Sequence, residues 1–134
     1  MEKKRKRFSV RSKVWIEDDE GNVVFGMGRV HILNAVKTHG SLKKAAEKEG
    51  MSYRGLWGRI RATEKRLGME LLTKQVGGKK GGGSKLTPEA KELIREFTAL
   101  HRDVREKADQ RFEEEIREDL GRVKTIAEQE SKPE

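Results

Sequence analysis

Cysteine is absent from the 134 residues, which excludes disulfides and thiolate metal sites and suits a reducing compartment. No apolar run is long enough to cross a bilayer, and the basic start MEKKRKR leads into Phe8-Ser9-Val10-Arg11 instead of an unbroken apolar stretch. A soluble cytoplasmic protein with no membrane partner is therefore expected. Aromatic residues make up only 5% and hydrophobic residues 33%, against 40% charged residues. Such a chain builds a small core, and its spare apolar surface calls for a partner, here a homodimer. There is room for one domain with extensions and not for a second, ligand-binding one.

What is abundant is positive charge, and it is unevenly placed. Residues 1–87 hold 21 Lys and Arg against 9 Asp and Glu, a balance of +12, while residues 88–134 hold 10 against 14, a balance of −4. Cations gathered in one region can neutralise nucleic-acid phosphates and release counterions, although a solubilising surface has the same composition. The enzymatic alternatives lack residues. His31, His39 and His101 have no zinc-ligand spacing, and Glu113-Glu114-Glu115 reads as a solvated charge run on a helix. No catalytic residue, metal or cofactor is expected, and the chain is not read as an enzyme.

Local signals predict a mainly α fold with a little β. Residues 1–7 are a basic arm. Phe8, Val10, Val14 and Ile16 alternate with period two and, across the turn-rich Asp18 to Asn22, face Val23-Val24-Phe25, which predicts a β-hairpin over this whole stretch. Val30, Leu33 and Val36 give a helix from about Gly28 to His39, closed by Gly40. Ser41 caps a second, Leu42 to Glu49, closed by Gly50, and Ser52 caps a third that runs to Leu67 and ends at Gly68. Leu71 to Thr73, a glycine- and lysine-rich loop and Leu86-Thr87 then form a strand, a loop and a return strand. Thr87 caps a long helix over 88–120, followed by a polar tail at 121–134. The domain with its N-terminal hairpin thus spans 8–87.

Ala45-Ala46 and the Gly50 bend between the second and third helices suit a helix-turn-helix, since small side chains permit a close crossing, though a plain αα-hairpin has the same pattern. In the third helix Tyr53, Leu56, Trp57, Ile60 and Leu67 fall on the side expected to face the core. Gly55, Gly58 and Ala62 form the outward line, bordered by Arg54, Arg61 and Lys65 on one edge and by Arg59 and Arg66 on the other. An internal glycine costs about 1 kcal/mol relative to alanine. A smooth ridge edged with arginines has the shape to enter a major groove; a solvated basic helix is the alternative. The loop from Lys74 to Lys85 carries four lysines and no acid, which suits a phosphate backbone. Its Gly83-Ser84-Lys85 ending lacks the lysine-then-Ser/Thr order of a nucleotide-binding loop.

The run Ala45 to Ser52, with Ile60, Glu64 and Leu67-Gly68, resembles the DNA-binding module of LysR-type regulators. Gly40-Ser41, Met51 to Arg54, Trp57, Gly77 to Ser84 and Leu86-Thr87 resemble more closely the DNA-binding domain of the molybdate-responsive ModE regulators, over about residues 28–105. The resemblance implies a winged helix-turn-helix in which the second and third helices read DNA, the glycine-rich hairpin is the wing and the following helix helps to form the dimer. It implies regulation of transcription. Complete ModE regulators carry molybdate-binding domains beyond this part, whereas here a standalone form is expected. Effector sensing is then left to a separate protein, or to none.

The expected contacts with double-stranded DNA are Ser41, Lys43 and Lys44, then Ser52, Tyr53, Arg54, Gly58, Arg59, Arg61 and Lys65, then Lys74, Lys79, Lys80, Ser84 and Lys85 of the wing. Leu93, Phe97, Leu100 and Val104 recur along the long helix and are the expected dimer seam, with packing on their own domain as the alternative, and Ala108, Phe112 and Ile116 prolong the stripe. Two other classes share these features: an architectural protein that binds DNA without sequence preference, and a protein-interaction adaptor.

Overall fold

A computed structural model describes residues 7–74 and 83–121. The arm through residue 6, the wing loop 75–82 and the tail 122–134 lie outside the described residues, and with them Lys79 and Lys80. The chain divides into two compact units, residues 14–100 and residues 1–13 with 101–134. In the first, β1 (Trp15–Glu17) and β2 (Val23–Gly26) precede α1 (Met27–His39), α2 (Leu42–Glu49) and α3 (Tyr53–Leu67). Then come β3 (Leu72–Lys74), β4 (Ser84–Leu86) and α4 (Pro88–Arg111), whose first turns complete the unit. This is the winged helix-turn-helix order that the sequence predicts.

The helix ends follow from local chemistry. The Ser41 hydroxyl accepts the Lys44 amide at 3.2 Å and the Ser52 hydroxyl accepts that of Gly55 at 3.0 Å, so each satisfies an amide that the first turn leaves without an intrahelical partner. Between α2 and α3, Gly50 adopts φ 66° and donates to the carbonyls of Ala46 and Glu47, a left-handed turn that any β-carbon would strain. Fully buried Ala45 and Ala46 lie on α2, and α2 and α3 are in contact. Around that crossing Val30, Ile32, Leu33 and Val36 of α1 join Leu42, Leu56, Ile60, Leu71, Leu72 and Leu86 in one core. Burial of each such aliphatic side chain is worth roughly 1.5–3 kcal/mol.

Four expectations are revised. The first hairpin is shorter than the alternation from Phe8 predicts: only Trp15–Glu17 pairs with β2, with a bulge between Ile16 and Glu17. A ladder needs two strands, and β2 passes into α1 at Met27, so the pairing ends at Trp15 opposite Gly26. Tyr53 is 47% exposed, while Thr63 and Glu64 are buried in its stead. A helical wheel gives direction but not how far along the axis the domain extends, and Tyr53 lies in the first turn. Ser84 is buried and its amide donates to the Gly40 carbonyl at 3.0 Å, because alternation along β4 turns Ser84 and Leu86 inward and Lys85 outward.

The fourth revision concerns α4. Phe97 is buried and meets Phe25 edge to face, ring centroids 5.3 Å apart, and Leu93 packs against the same core. Both belong to the domain interior, so of the expected seam Leu100, 45% exposed, presents an open surface, and Val104 is half-buried.

In the second unit, α4 gives way to a π-helical stretch, Phe112–Ile116, with the Arg117 amide bonded to the Phe112 carbonyl. The wider turn breaks the four-residue step: Phe112 is buried, under the Arg117 guanidinium at 5.3 Å, and Ile116 is exposed. Among the described residues no helix is long and apolar enough to cross a membrane.

Candidate nucleic-acid interface

The exposed ridge of α3 is held in place from behind. Leu56, Ile60 and Thr63 fix its inner face in the core, and Glu64 anchors its C-terminal half by accepting the Leu71 amide at 2.8 Å and the Leu72 amide at 3.4 Å. On the outer face Tyr53, Arg54, Gly55, Gly58, Arg59, Arg61 and Lys65 are all exposed. A β-carbon on Gly58 would meet nothing within 4 Å, so no internal contact requires glycine there. At Gly55 it would lie 2.9 Å from the capping Ser52 hydroxyl, which gives that glycine a local reason of its own.

The two flanks of the ridge differ. On one, Trp57 is half-buried and carries two cations: the Arg61 guanidinium 5.4 Å from the ring centroid and the Lys74 ammonium, at the end of β3, at 5.0 Å. Each such contact is worth about 0.5–1 kcal/mol at an exposed site. Arg61 also approaches Glu64 at 3.6 Å. On the other flank, Arg66 donates to the Val23 carbonyl of β2 at 2.8 Å, and Arg29 of α1 donates through Nε to the Thr63 hydroxyl at 2.8 Å. Thr63 in turn donates to the Arg59 carbonyl at 2.9 Å. Burial, and after it the charges of Arg59 and Arg66, pull the Arg29 pKa below its ordinary value. A guanidinium nevertheless remains cationic throughout the physiological range.

Most of the expected contact residues therefore share this face or its borders. Lys43 and Lys44 are exposed on the first turn of α2 behind the Ser41 cap, and Lys74 and Lys85 are exposed at the base of the wing. Ser84 faces the core. Sequence reasoning missed Arg29 and gave no structural work to Glu64, while Trp57, expected to face the core, is half-buried and carries cations on the flank. No local signal marks Arg29, since its partner is 34 positions away. Among the described residues no three His, Asp or Glu side chains gather as a metal site would require.

Residues 27–91 match the family model described as bacterial regulatory helix-turn-helix protein, lysR family. Over 79 residues the chain is 37% identical to the molybdenum-pterin-binding protein MopB of Rhodobacter capsulatus, a match that covers 59% of this chain and 29% of that protein. Over 74 residues it is 35% identical to the transcriptional regulator ModE of Haemophilus influenzae, covering 55% of this chain and 29% of that one. The chain spans less than a third of the length of these curated relatives. Among solved structures, the DNA-binding domain of CbnR in complex with DNA is similar at a TM-score of 0.49 and 19% identity, over 64% of this chain and 93% of that chain. From α1 to the first turn of α4, this chain is thus similar to the lysR-family regulatory helix-turn-helix, and the curated relatives it resembles there include ModE and Mop proteins.

Proposed function

We propose that this protein is a ModE-like, sequence-specific regulator of transcription that binds double-stranded DNA as a homodimer in the cytoplasm. The third helix enters the major groove, and the glycine- and lysine-rich wing follows the adjoining backbone. One observation carries the reading: the Gly58 ridge is open to solvent, has no internal need of glycine and is bordered by exposed Arg54, Arg59, Arg61 and Lys65. Close approach to another surface gives the missing side chain a purpose. The flanking guanidinium groups can then reach guanine edges or phosphates, with Arg54 in the first turn, where such helices present residues to bases.

Selection of bound sequences from a random duplex pool tests this. A two-fold symmetric consensus is expected, and a pool that stays random would overturn the sequence-specific reading. Gly58→Glu adds bulk and negative charge on the ridge without touching the core, so it should fold normally and lose the selected duplex. Retention of tight binding by that variant would exclude insertion of this face into the groove.

Dimerisation is assigned to the exposed part of α4 around Leu100. Leu100→Asp places a carboxylate where a seam must exclude water. In sedimentation the variant should run as a folded monomer that binds half-sites weakly and no longer binds the full palindrome tightly. A variant that remains dimeric would move the seam elsewhere.

A further inference from the structure

We propose that α1 and the β1–β2 hairpin form a second backbone clamp, in which Arg29, Arg59 and Arg66 grip the DNA phosphodiester chain on the flank of α3 opposite the wing. This rests on the DNA-binding reading above, and adds to it a partner strand and two residues, Arg29 and Arg66, that the wing and ridge do not involve.

The geometry begins at Gly58. An α-helix turns about 100° per residue, so Trp57 and Arg59 lie roughly a quarter turn to either side of the ridge. A helix with its side chains is about 10–12 Å across and the major groove about 12 Å wide, so an inserted helix turns its two flanks toward the two phosphate strands that form the groove walls. The Trp57 flank already has its cations, Arg61 and Lys74. On the opposite flank Arg59, Thr63 and Arg66, spaced by four and three residues, make one stripe, and Arg29 is docked onto its middle through Thr63 at 2.8 Å. Arg66 is tied to the hairpin at the Val23 carbonyl.

Of these three cations, Arg29 and Arg66 are oriented by neutral partners, a hydroxyl and a backbone carbonyl, and not by counterions. Among the described residues none of them takes part in an ion pair. Asp18 of the hairpin turn interacts with Arg66 only through space. Arg29 is half-buried beside two like charges and bears the cost of that placement. An anion repeating along a chain relieves the repulsion, and the spare donors of each guanidinium suit phosphate oxygens.

The test uses the full chain and the duplex selected above. The paired variant Arg29→Gln with Arg66→Gln should bind at least about 10-fold more weakly, and its slope of log affinity against log salt should fall by about 0.9 for each lost contact. Its preferred sequence should be unchanged. Arg29→Lys with Arg66→Lys keeps the charges but not the fork, and should keep most of the slope. Equal loss in both pairs would mean that the arginines only brace the fold, and wild-type binding by the glutamine pair would equally overturn the clamp. Should the glutamine pair fail to fold, the wild-type protein on duplexes neutralised by single methylphosphonates decides the matter. Two groups of sensitive phosphates per half-site are expected, one on each groove wall. A single group, or displacement of the duplex by millimolar inorganic phosphate at constant ionic strength, removes the clamp while leaving the DNA-binding reading intact. Absence of any salt-sensitive duplex binding by the wild-type chain removes that reading itself.

Discussion

Two antiparallel hairpins adjoin α3, and they are joined to the domain in different ways. In the wing, both strands enter the core: Leu72 of β3 and Ser84 and Leu86 of β4 are buried. The base of the wing is fixed by Glu64 on the Leu71 and Leu72 amides, by the Ser84 amide on Gly40 and by the Thr87 hydroxyl on the Glu70 carbonyl at 2.7 Å. In the N-terminal hairpin only β2 is structural. Val24 and Phe25 are buried, whereas all three residues of β1 are exposed. A hairpin anchored by both strands has its position set by the core. One anchored by a single strand depends on that strand and on the polar contacts that reach it, here Arg66 at Val23.

The sharpest way to break this comparison is to remove the single anchor. Phe25 is fully buried and packs edge to face on Phe97, so Phe25→Ala should lower unfolding free energy by about 3–5 kcal/mol in urea titration. Ile16→Ala, its cross-strand partner on β1 and 37% exposed, should change stability by no more than about 0.5 kcal/mol. Similar losses from both would mean that β1 is structural after all.

A smaller effect is expected on the wing side. Glu64→Ala leaves the Leu71 and Leu72 amides without their acceptor, and orphaned buried amides cost about 1–3 kcal/mol. Hydrogen exchange at Leu71 and Leu72 should accelerate more than exchange within α1. Uniform acceleration would show that Glu64 supports the whole domain and not the wing.

The same contrast explains what was legible in the sequence. The bounds of α2 and α3 follow from Ser41, Gly50, Ser52 and Gly68, because capping is decided within four residues. The order of elements and the basic ridge follow from periodicity, which is also local. What escaped is fixed by the chain folding back on itself. Arg29 reaches Thr63 across 34 positions. Ser84, in a loop that reads as polar and exposed, is turned inward by its pairing in β4 and its bond to Gly40. Phe97 has the spacing of a dimer seam and equally that of a core contact, and only the position of Phe25 decides between them. Charge patterning marked the flank of Arg59 and Arg66 but could not supply the hairpin that completes it.

The smallest expected effect concerns the turn of the weaker hairpin. Asp18 accepts hydrogen bonds from the Glu20 amide at 3.0 Å and the Asn22 amide at 2.9 Å, and its second oxygen accepts the Asn22 side-chain amide at 3.1 Å. The bonds from Asn22, backbone first, hold the Asp18 pKa below the ordinary carboxylate value of 3.8. Because the folded value lies below the unfolded one, whatever these bonds contribute is present in full above pH 3.8 and is lost as pH falls through the folded pKa. Acidification through that window should therefore loosen the β1–β2 turn and leave the wing unaffected, since half-buried Asp18 bonds only within its own turn and is remote in sequence from the wing's anchors. Amide chemical shifts of Glu20 and Asn22, followed from pH 6 downward, should titrate with a midpoint below 3.8 while Leu71 and Leu72 report no change over the same step. A midpoint at or above 3.8 would mean that the turn does not favour the charged carboxylate, and the N-terminal hairpin would then be held by β2 and Arg66 alone.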